Sequence, residues 1–331
     1  MFEGHDVPHQ PYGEDGKSQT ARYNAGMTEK NLPLELLSKH RETLGLADAF
    51  VFDGEGALFG APKELRSAIV FLPKGRALID MTLALVSGMV IEGGTVALVG
   101  ANDAGIGSAK RSYEANVGPV DQKVVGSHSA LYIGRNCRLG AGKKIEDYLS
   151  SVALSLDGAA IEAATLPGVF SNGSLDEGTA LLLAHIPYDR KTVLDVGCGA
   201  GIIGAFYGKR NPHAAIAMCD SSRLAIIAAE KTSEMNGLKA HVVLSDVFSE
   251  IRGAFDLILA NPPFHKGIGT DYSFIEKFAR GVRRHLAKGG AVYVVANSFL
   301  RYQDVLEKHI GPTEIVADDN KFRVYRSVER S

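Results

Sequence analysis

The stretch "KTVLDVGCGAGIIGAFYGKR", Lys191 to Arg210, decides the fold. A short apolar run ends in a turn holding Gly197, Gly199 and Gly201, and the chain leaves through "IIGAFYGKR". Strand, tight glycine turn, helix is how a parallel strand–helix unit opens. The rhythm then repeats. "AAIAMCD" (Ala214 to Asp220) predicts a second strand, and "SRLAIIAAEKTSEMNG" a helix stopped by Asn236 and Gly237. "AHVVLSD" and "FDLILAN" predict strands three and four, "YSFIEKFARGVRRHLAKGG" an amphipathic helix, and "AVYVVAN" strand five. Strands rich in Val, Ile, Leu and Ala between helices indicate a doubly wound, mostly parallel α/β sheet covered on both faces. "EIVADDNKFRVYRS" closes it with an antiparallel hairpin.

The N-terminal half carries a fainter version. "LPLELLSKHRETLG" predicts a helix, "DAFVFDG", "SAIVFLP" and "TVALVG" strands, and "RALIDMTLALVSGMV" a helix between the last two. "VALVGANDAGIGSAKRSYEA" again runs strand, glycine turn, helix, and reads as a relic of the Lys191–Arg210 unit. Its glycines, Gly105 and Gly107, fall too far behind Gly100, and Leu98 stands where the Lys191–Arg210 stretch has Asp195. A linker is expected between Asp147 and Thr179, where "TLPGVFSNGSLDEGT" supplies Pro, Gly and a helix start.

At 331 residues the chain has room for two domains. No apolar run reaches the ~18–20 residues of a membrane span. The N-terminus lacks the apolar core of a signal peptide. The cysteines, Cys137, Cys198 and Cys219, suit a reducing, cytoplasmic setting. No metal is expected. With a formal net charge of −2, a nucleic-acid partner would have to be met by a local basic face. "RNCRLGAGKK" (Arg135 to Lys144), "RGVRRHLAK" (Arg280 to Lys288) and "KFRVYR" (Lys321 to Arg326) are the candidates, each on its own more readily read as a solvated surface.

The glycine loop alone fits NAD, FAD or a bare turn. The acids narrow the choice. Asp195 stands two residues before Gly197, where it would repel a pyrophosphate; Asp220 ends the second strand, placed to accept from ribose hydroxyls; Asp246 ends the third. An ammonium, a ribose and an adenine amino group with no phosphate describe S-adenosylmethionine. Ser221 and Val247, next to Asp220 and Asp246, join the expected cofactor site, while Cys198 in the loop reads as a packing residue.

The fourth strand ends in "NPPFH", Asn261 to His265. Two prolines stiffen a corner at the carboxyl end of the sheet, where such folds bind ligands. An amino group conjugated to a ring is a poor nucleophile. The Asn261 side-chain oxygen and the Pro262 carbonyl can accept its two hydrogens, aim its lone pair and offset charge as the nitrogen attacks a methyl group. Phe264 can stack on a flat ring, worth roughly 1–3 kcal/mol for a nucleobase.

With these motifs in view, "TLPGVFS", "VLDVGCGAG", "NPPFH" and "VANSFLRY" resemble the class I S-adenosylmethionine-dependent ribosomal RNA guanine-N2 methyltransferases, and most closely those acting on 16S RNA of the small subunit. The resemblance runs from about Asp48 to the end. It implies two tandem Rossmann-like methyltransferase domains: a polar tail over 1–26, a degenerate domain without cofactor over 27–150, and a catalytic domain over 151–331. It implies further that Asp195, Gly197, Gly199 and Gly201 hold the methionine end, Asp220 the ribose and Asp246 the adenine. Asn261, Pro262 and Phe264 would hold the guanine amino group, with Pro263 and His265 near the substrate and Phe170 either over the cofactor or packed in the core. The alternatives are a large-subunit guanine, an adenine in DNA or RNA, a protein glutamine amide, or a non-catalytic RNA-binding assembly factor.

Overall fold

The computed structural model describes residues 32–169, 174–262 and 268–329, with 268–272 described by backbone alone; the tail expected over 1–26 lies outside this range. The chain divides between Lys144 and Ile145 into two units.

The second unit is built on a seven-stranded sheet. Its strands are β8 (Thr192–Val196), β9 (Ala215–Asp220), β10 (Ala240–Leu244), β11 (Phe255–Ala260), β12 (Leu286–Asn297), β13 (Thr313–Asp318) and β14 (Phe322–Val328), ordered β10–β9–β8–β11–β12–β14–β13. All pairings are parallel except those of β14 with β12 and β13. The order reverses direction between β8 and β11, so the carboxyl ends of these two neighbours face a crevice, the place where open α/β sheets bind ligands. Leu194, Ile258, Val292 and Val294 are fully buried on the sheet, beneath Ile275, Phe278 and Val282 of the helix Ile268–Val282.

Three details differ from the sequence expectation. The helix predicted to run to Gly290 ends at Val282; one 3-10 turn follows, and Leu286 already pairs with Phe255 in β12. A bulge between Phe255 and Leu257 absorbs the extra residues. Gly289 takes φ +78°, and a Cβ on Gly290 would sit 2.8 Å from the Ala287 carbonyl oxygen, so both glycines serve the bulge and not a helix end. The expected linker region holds a hairpin, β6 (Ser150–Leu156) and β7 (Ala159–Thr165), turning through Asp157 and Gly158 at φ +47° and +78°. The hairpin is tied to the helix Arg223–Met235, where Thr232 Oγ1 accepts from Ala164 N (2.9 Å) and Asn236 bonds both backbone groups of Glu162.

The third difference is in the first unit. Its strands β1 (Phe50–Phe52), β2 (Leu65–Phe71), β3 (Val90–Ala101), β4 (Gln122–Gly126) and β5 (Ser129–Arg135) are ordered β1–β2–β3–β5–β4, with β5 antiparallel to both neighbours. Laid on the second sheet, β2 matches β11 and β3 matches β12. Leu65 pairs with Val90 and, past a bulge, Ser67 with Thr95; Phe255 pairs with Leu286 and, past a bulge, Leu257 with Ala291. The antiparallel partner repeats the match, Thr95 to Ala101 running against Arg135 to Ser129 as Ala291 to Asn297 run against Val328 to Phe322. The turn after β3, "VGANDAGIGSAK", is therefore the counterpart of "VANSFLRY" and not of the glycine loop, correcting the sequence reading. The counterpart of the glycine loop follows β1, where "DGEG" (Asp53 to Gly56) leads into a short helix, Glu55–Gly60.

Candidate active site

The crevice is assembled from the ends of adjacent strands. Val196 pairs with Ala260, so Gly197 and Asn261 leave the sheet side by side. Gly197 and Cys198 both donate to the Cys219 carbonyl, at 2.8 and 3.0 Å, stitching the loop to the end of β9. Gly197, Gly199 and Gly201 have φ of +72°, +53° and +76°, a region costly for any residue with a Cβ. A Cβ on Gly197 would meet nothing within 4 Å, which leaves the loop's open side clear. One on Gly201 would come within 3.1 Å of Ala229 Cβ and Met218 Sδ, so Gly201 also serves packing.

Asp195 is wholly buried at the base of the loop. Its Oδ2 accepts from Gly204 N at 3.1 Å, while its Oδ1 is buried with no partner. Burial pushes its pKa up to about 7, against the lowering effect of the Gly204 bond and with a smaller push from the Asp220 charge. Asp220, at the end of β9, braces the glycine loop: its Oδ2 accepts from Gly199 N and its Oδ1 from Ser222 N, both at 2.9 Å. Ser221, beside it, is exposed. Burial, followed by the nearby Asp195 charge, drives the Cys198 thiol well up, away from nucleophilic use.

Asp246 is exposed and ion-paired to Lys277 of the helix Ile268–Val282. Next to it Val247 is buried at φ +58°. For a β-branched residue that is a strained backbone, the kind of outlier that persists where the surroundings over-determine it. Its carbonyl accepts from Cys219 Sγ and Ser245 Oγ.

Asn261 is held by residues that the sequence reading treated only as a helix start. Its Nδ2 donates to Asp176 Oδ2 (3.1 Å) and Thr179 Oγ1 (2.8 Å), while its Oδ1 is buried without a partner. Asp176 is the N-cap of the helix Glu177–His185, accepting from Thr179 N at 2.9 Å. Pro262 is buried beside Asn261. Pro263, Phe264 and His265 of the corner, and Phe170, lie outside the described residues. The structure thus brings Asp195, Gly197, Gly199, Gly201, Asp220 and Asn261 to one strand-end crevice.

The basic clusters are largely engaged. Arg280 pairs with Glu276, Arg283 with Glu329, Lys321 with Glu177, Arg323 with Asp318 and Arg326 with Glu314. Arg135 and Arg138 donate to the carbonyls of Gly93 and Val90 at the bulge of β3. Among the described residues no group of three or more His, Cys, Asp or Glu could hold a metal, and no helix is long and apolar enough to cross a membrane.

Residues 160–326 match the model of the methyltransferase small domain, and residues 50–151 that of the methyltransferase small domain N-terminal region. The chain is 36% identical over 286 residues to a ribosomal RNA small subunit methyltransferase C of Aeromonas hydrophila, covering 85% of this chain and 82% of the relative. A protein of the same description from Vibrio vulnificus is 32% identical, with 92% of each chain covered. Among solved structures, a T. thermophilus 16S rRNA N2 methyltransferase in complex with AdoMet and guanosine superposes with a TM-score of 0.71 at 23% identity, over 82% of this chain and 75% of that one.

Proposed function

The chain belongs to the methyltransferase small domain family, alongside the ribosomal RNA small subunit methyltransferase C proteins, and on that premise we propose that it methylates the N2 amino group of a guanine in 16S ribosomal RNA. The observation that carries the reading is the buried, unpartnered Oδ1 of Asn261, one strand away from the open side of the glycine loop. A buried acceptor without a partner costs about 1–3 kcal/mol, and an incoming amino group supplies the missing donor.

The crevice fits S-adenosylmethionine: a glycine cradle open at Gly197, an orphan carboxylate oxygen on Asp195 for a cationic end, and Asp220 at the end of the second strand for ribose hydroxyls. Asp246 and Val247 are assigned the adenine. When bound, S-adenosylmethionine supplies a methyl group on a cationic sulfonium; its transfer to N2 leaves S-adenosylhomocysteine and one proton.

The chain's own residues position and stabilise. Asn261 Oδ1 and the Pro262 carbonyl each accept one hydrogen of the guanine amino group, which favours a pyramidal nitrogen whose lone pair is withdrawn from conjugation with the ring and aimed at the methyl group. As N2 becomes cationic, both hydrogen bonds become charge-assisted and strengthen. The proton stays on N2 through the transfer and then leaves to water, so no strong base is needed. Phe264 is assigned the guanine face, Pro263 and His265 its surroundings, and Phe170 the cover of the cofactor.

The first unit is assigned no cofactor. By register Val51 stands where the second unit has Asp195, and Phe71 where it has Asn261. On this reading the protein is assigned to the cytoplasm.

Labelled S-adenosylmethionine, offered with undermethylated small subunits, large subunits and naked RNA, tests the reading when the modified nucleotide is mapped. Label at guanine N2 of 16S RNA is the expected result. Label in large-subunit RNA or in protein alone overturns it.

A further inference from the structure

We infer that Asp176 and Thr179 are positioning residues that fix which way the Asn261 amide faces. This rests on the assignment of Asn261 as acceptor for the substrate amino group. A side-chain amide has two nearly isosteric orientations, and only the one that pairs Nδ2 with the protein and leaves Oδ1 unpaired can accept from an amino group. The other presents two N–H donors to a group that is itself a donor.

The two partners constrain the amide unequally. Thr179 Oγ1, 2.8 Å from Nδ2, is a hydroxyl and can donate or accept. Asp176 Oδ2, 3.1 Å from the same nitrogen, belongs to a carboxylate and can only accept. Flipping the amide would set two acceptor oxygens against each other with no hydrogen between them, and the partly buried surroundings would magnify that repulsion. Asp176 is therefore the residue that selects the orientation, and Thr179 completes the pairing of the second amide hydrogen.

The carboxylate is itself pinned. Asp176 Oδ2 also accepts from Thr179 N at 2.9 Å as the cap of the helix Glu177–His185. Gly178 leaves it room: a Cβ there would lie 3.2 Å from that same oxygen and 3.1 Å from the Phe322 ring. One cap thus closes a helix and orients the amide of Asn261.

Two functions on one side chain can be separated by substitution. Serine is about as good an N-cap as aspartate, but its hydroxyl is one bond shorter and cannot cap Thr179 N and still reach Asn261. Asp176→Ser is expected to keep the melting midpoint and S-adenosylmethionine affinity near wild type while lowering kcat at least about ten-fold, with the KM for RNA little changed. Asp176→Asn, whose oxygen can still serve both bonds, is expected to restore most of that rate. Thr179→Val should lower kcat and Thr179→Ser should not. In an Asn261→Ala background, Asp176→Ser should change kcat less than about two-fold, because its route to the chemistry is gone. The same loss in both backgrounds, or a wild-type rate for Asp176→Ser, overturns the inference.

A neutron structure of the wild-type protein reads the amide without any substrate. Both deuterons of the Asn261 side chain should point at Asp176 and Thr179, and the reverse orientation overturns the inference. Correct orientation with no methyl transfer to small-subunit RNA would instead fault the substrate reading and leave the amide geometry standing.

Discussion

Asp195→Asn reports directly on the buried carboxyl beneath the glycine loop. In the folded protein burial pushes the Asp195 pKa up to about 7 from an ordinary 3.8. An acid whose folded pKa is raised binds its proton more tightly in the native state than in the unfolded chain. Its contribution to stability is therefore intact below the unfolded pKa and declines as pH rises from about 4 to about 7. At about 1.4 kcal/mol per pKa unit the full loss is on the order of 4 kcal/mol, of which about 1.5 has accrued by pH 5. Asparagine has the same shape, keeps an oxygen for Gly204 N and carries no charge. Its unpaired Nδ2 adds a penalty of about 1–3 kcal/mol, which does not vary with pH. Subtracting the denaturation free energy of the wild type from that of Asp195→Asn at each pH cancels this constant. The difference should rise by about 3 kcal/mol in favour of the variant between about pH 5 and pH 8 and stay level beyond. Urea melts followed on the second unit's transition measure it. Parallel pH profiles for the two proteins would mean that Asp195 is ionised in the native state across this range, and would refute the reasoning.

Other perturbations separate chemistry from fold. Asn261→Ala should retain S-adenosylmethionine affinity in calorimetry and lose at least ~2.7 kcal/mol of transition-state stabilisation, about 100-fold in kcat; equal losses of affinity and rate would contradict the role assigned. Gly201→Ala forces a Cβ into a residue at φ +76° and to within 3.1 Å of Ala229 and Met218, and should cost about 1–3 kcal/mol in denaturant melts together with a weaker cofactor Kd. In the first unit, Asn136 is buried, donates to the Ser87 and Val90 carbonyls and accepts from Ser87 Oγ and Arg138 N. Asn136→Ala removes all four of these hydrogen bonds, leaving the Val90 carbonyl only its bond from Arg138, and should lower that unit's stability by about 2–4 kcal/mol, seen as an earlier unfolding transition.

Much of this architecture was legible from residue types. Continuous Val–Ile–Leu–Ala runs marked the central strands of the second unit, because a strand buried on both faces needs no alternation. Asp195, the three glycines, Asp220 and Asn261 sit at strand ends, where local patterning and position in the fold coincide. What escaped was of two kinds. Local signals were outweighed by neighbours: the Asp157–Gly158 turn, flanked by short strands, is a hairpin signature that a loop-rich composition obscured. Likewise "HLAKGG" carries helix-ending residues, yet Gly289 and Gly290 there build a bulge. The other kind is long-range. Asp176 and Thr179 are 85 and 82 residues from Asn261, and nothing along the chain says that a helix cap reaches the Asn261 corner.

The two units together supply an internal comparison for the site. Their sheets match in register through β2, β3 and β5 against β11, β12 and β14, down to the bulge each strand pair carries. At two positions of this shared lattice the second unit has Asp195 and Asn261, and each side chain leaves an oxygen buried without a partner. At the same positions the first unit has Val51 and Phe71. The lattice is therefore satisfied by apolar side chains, and nothing in its strand pairing demands an acid or an amide. Each orphan oxygen costs about 1–3 kcal/mol that a Val or Phe would avoid. Their presence in one unit only, on adjacent strands at the carboxyl edge, is what the proposed binding roles of Asp195 and Asn261 require and what the shared strand pairing does not.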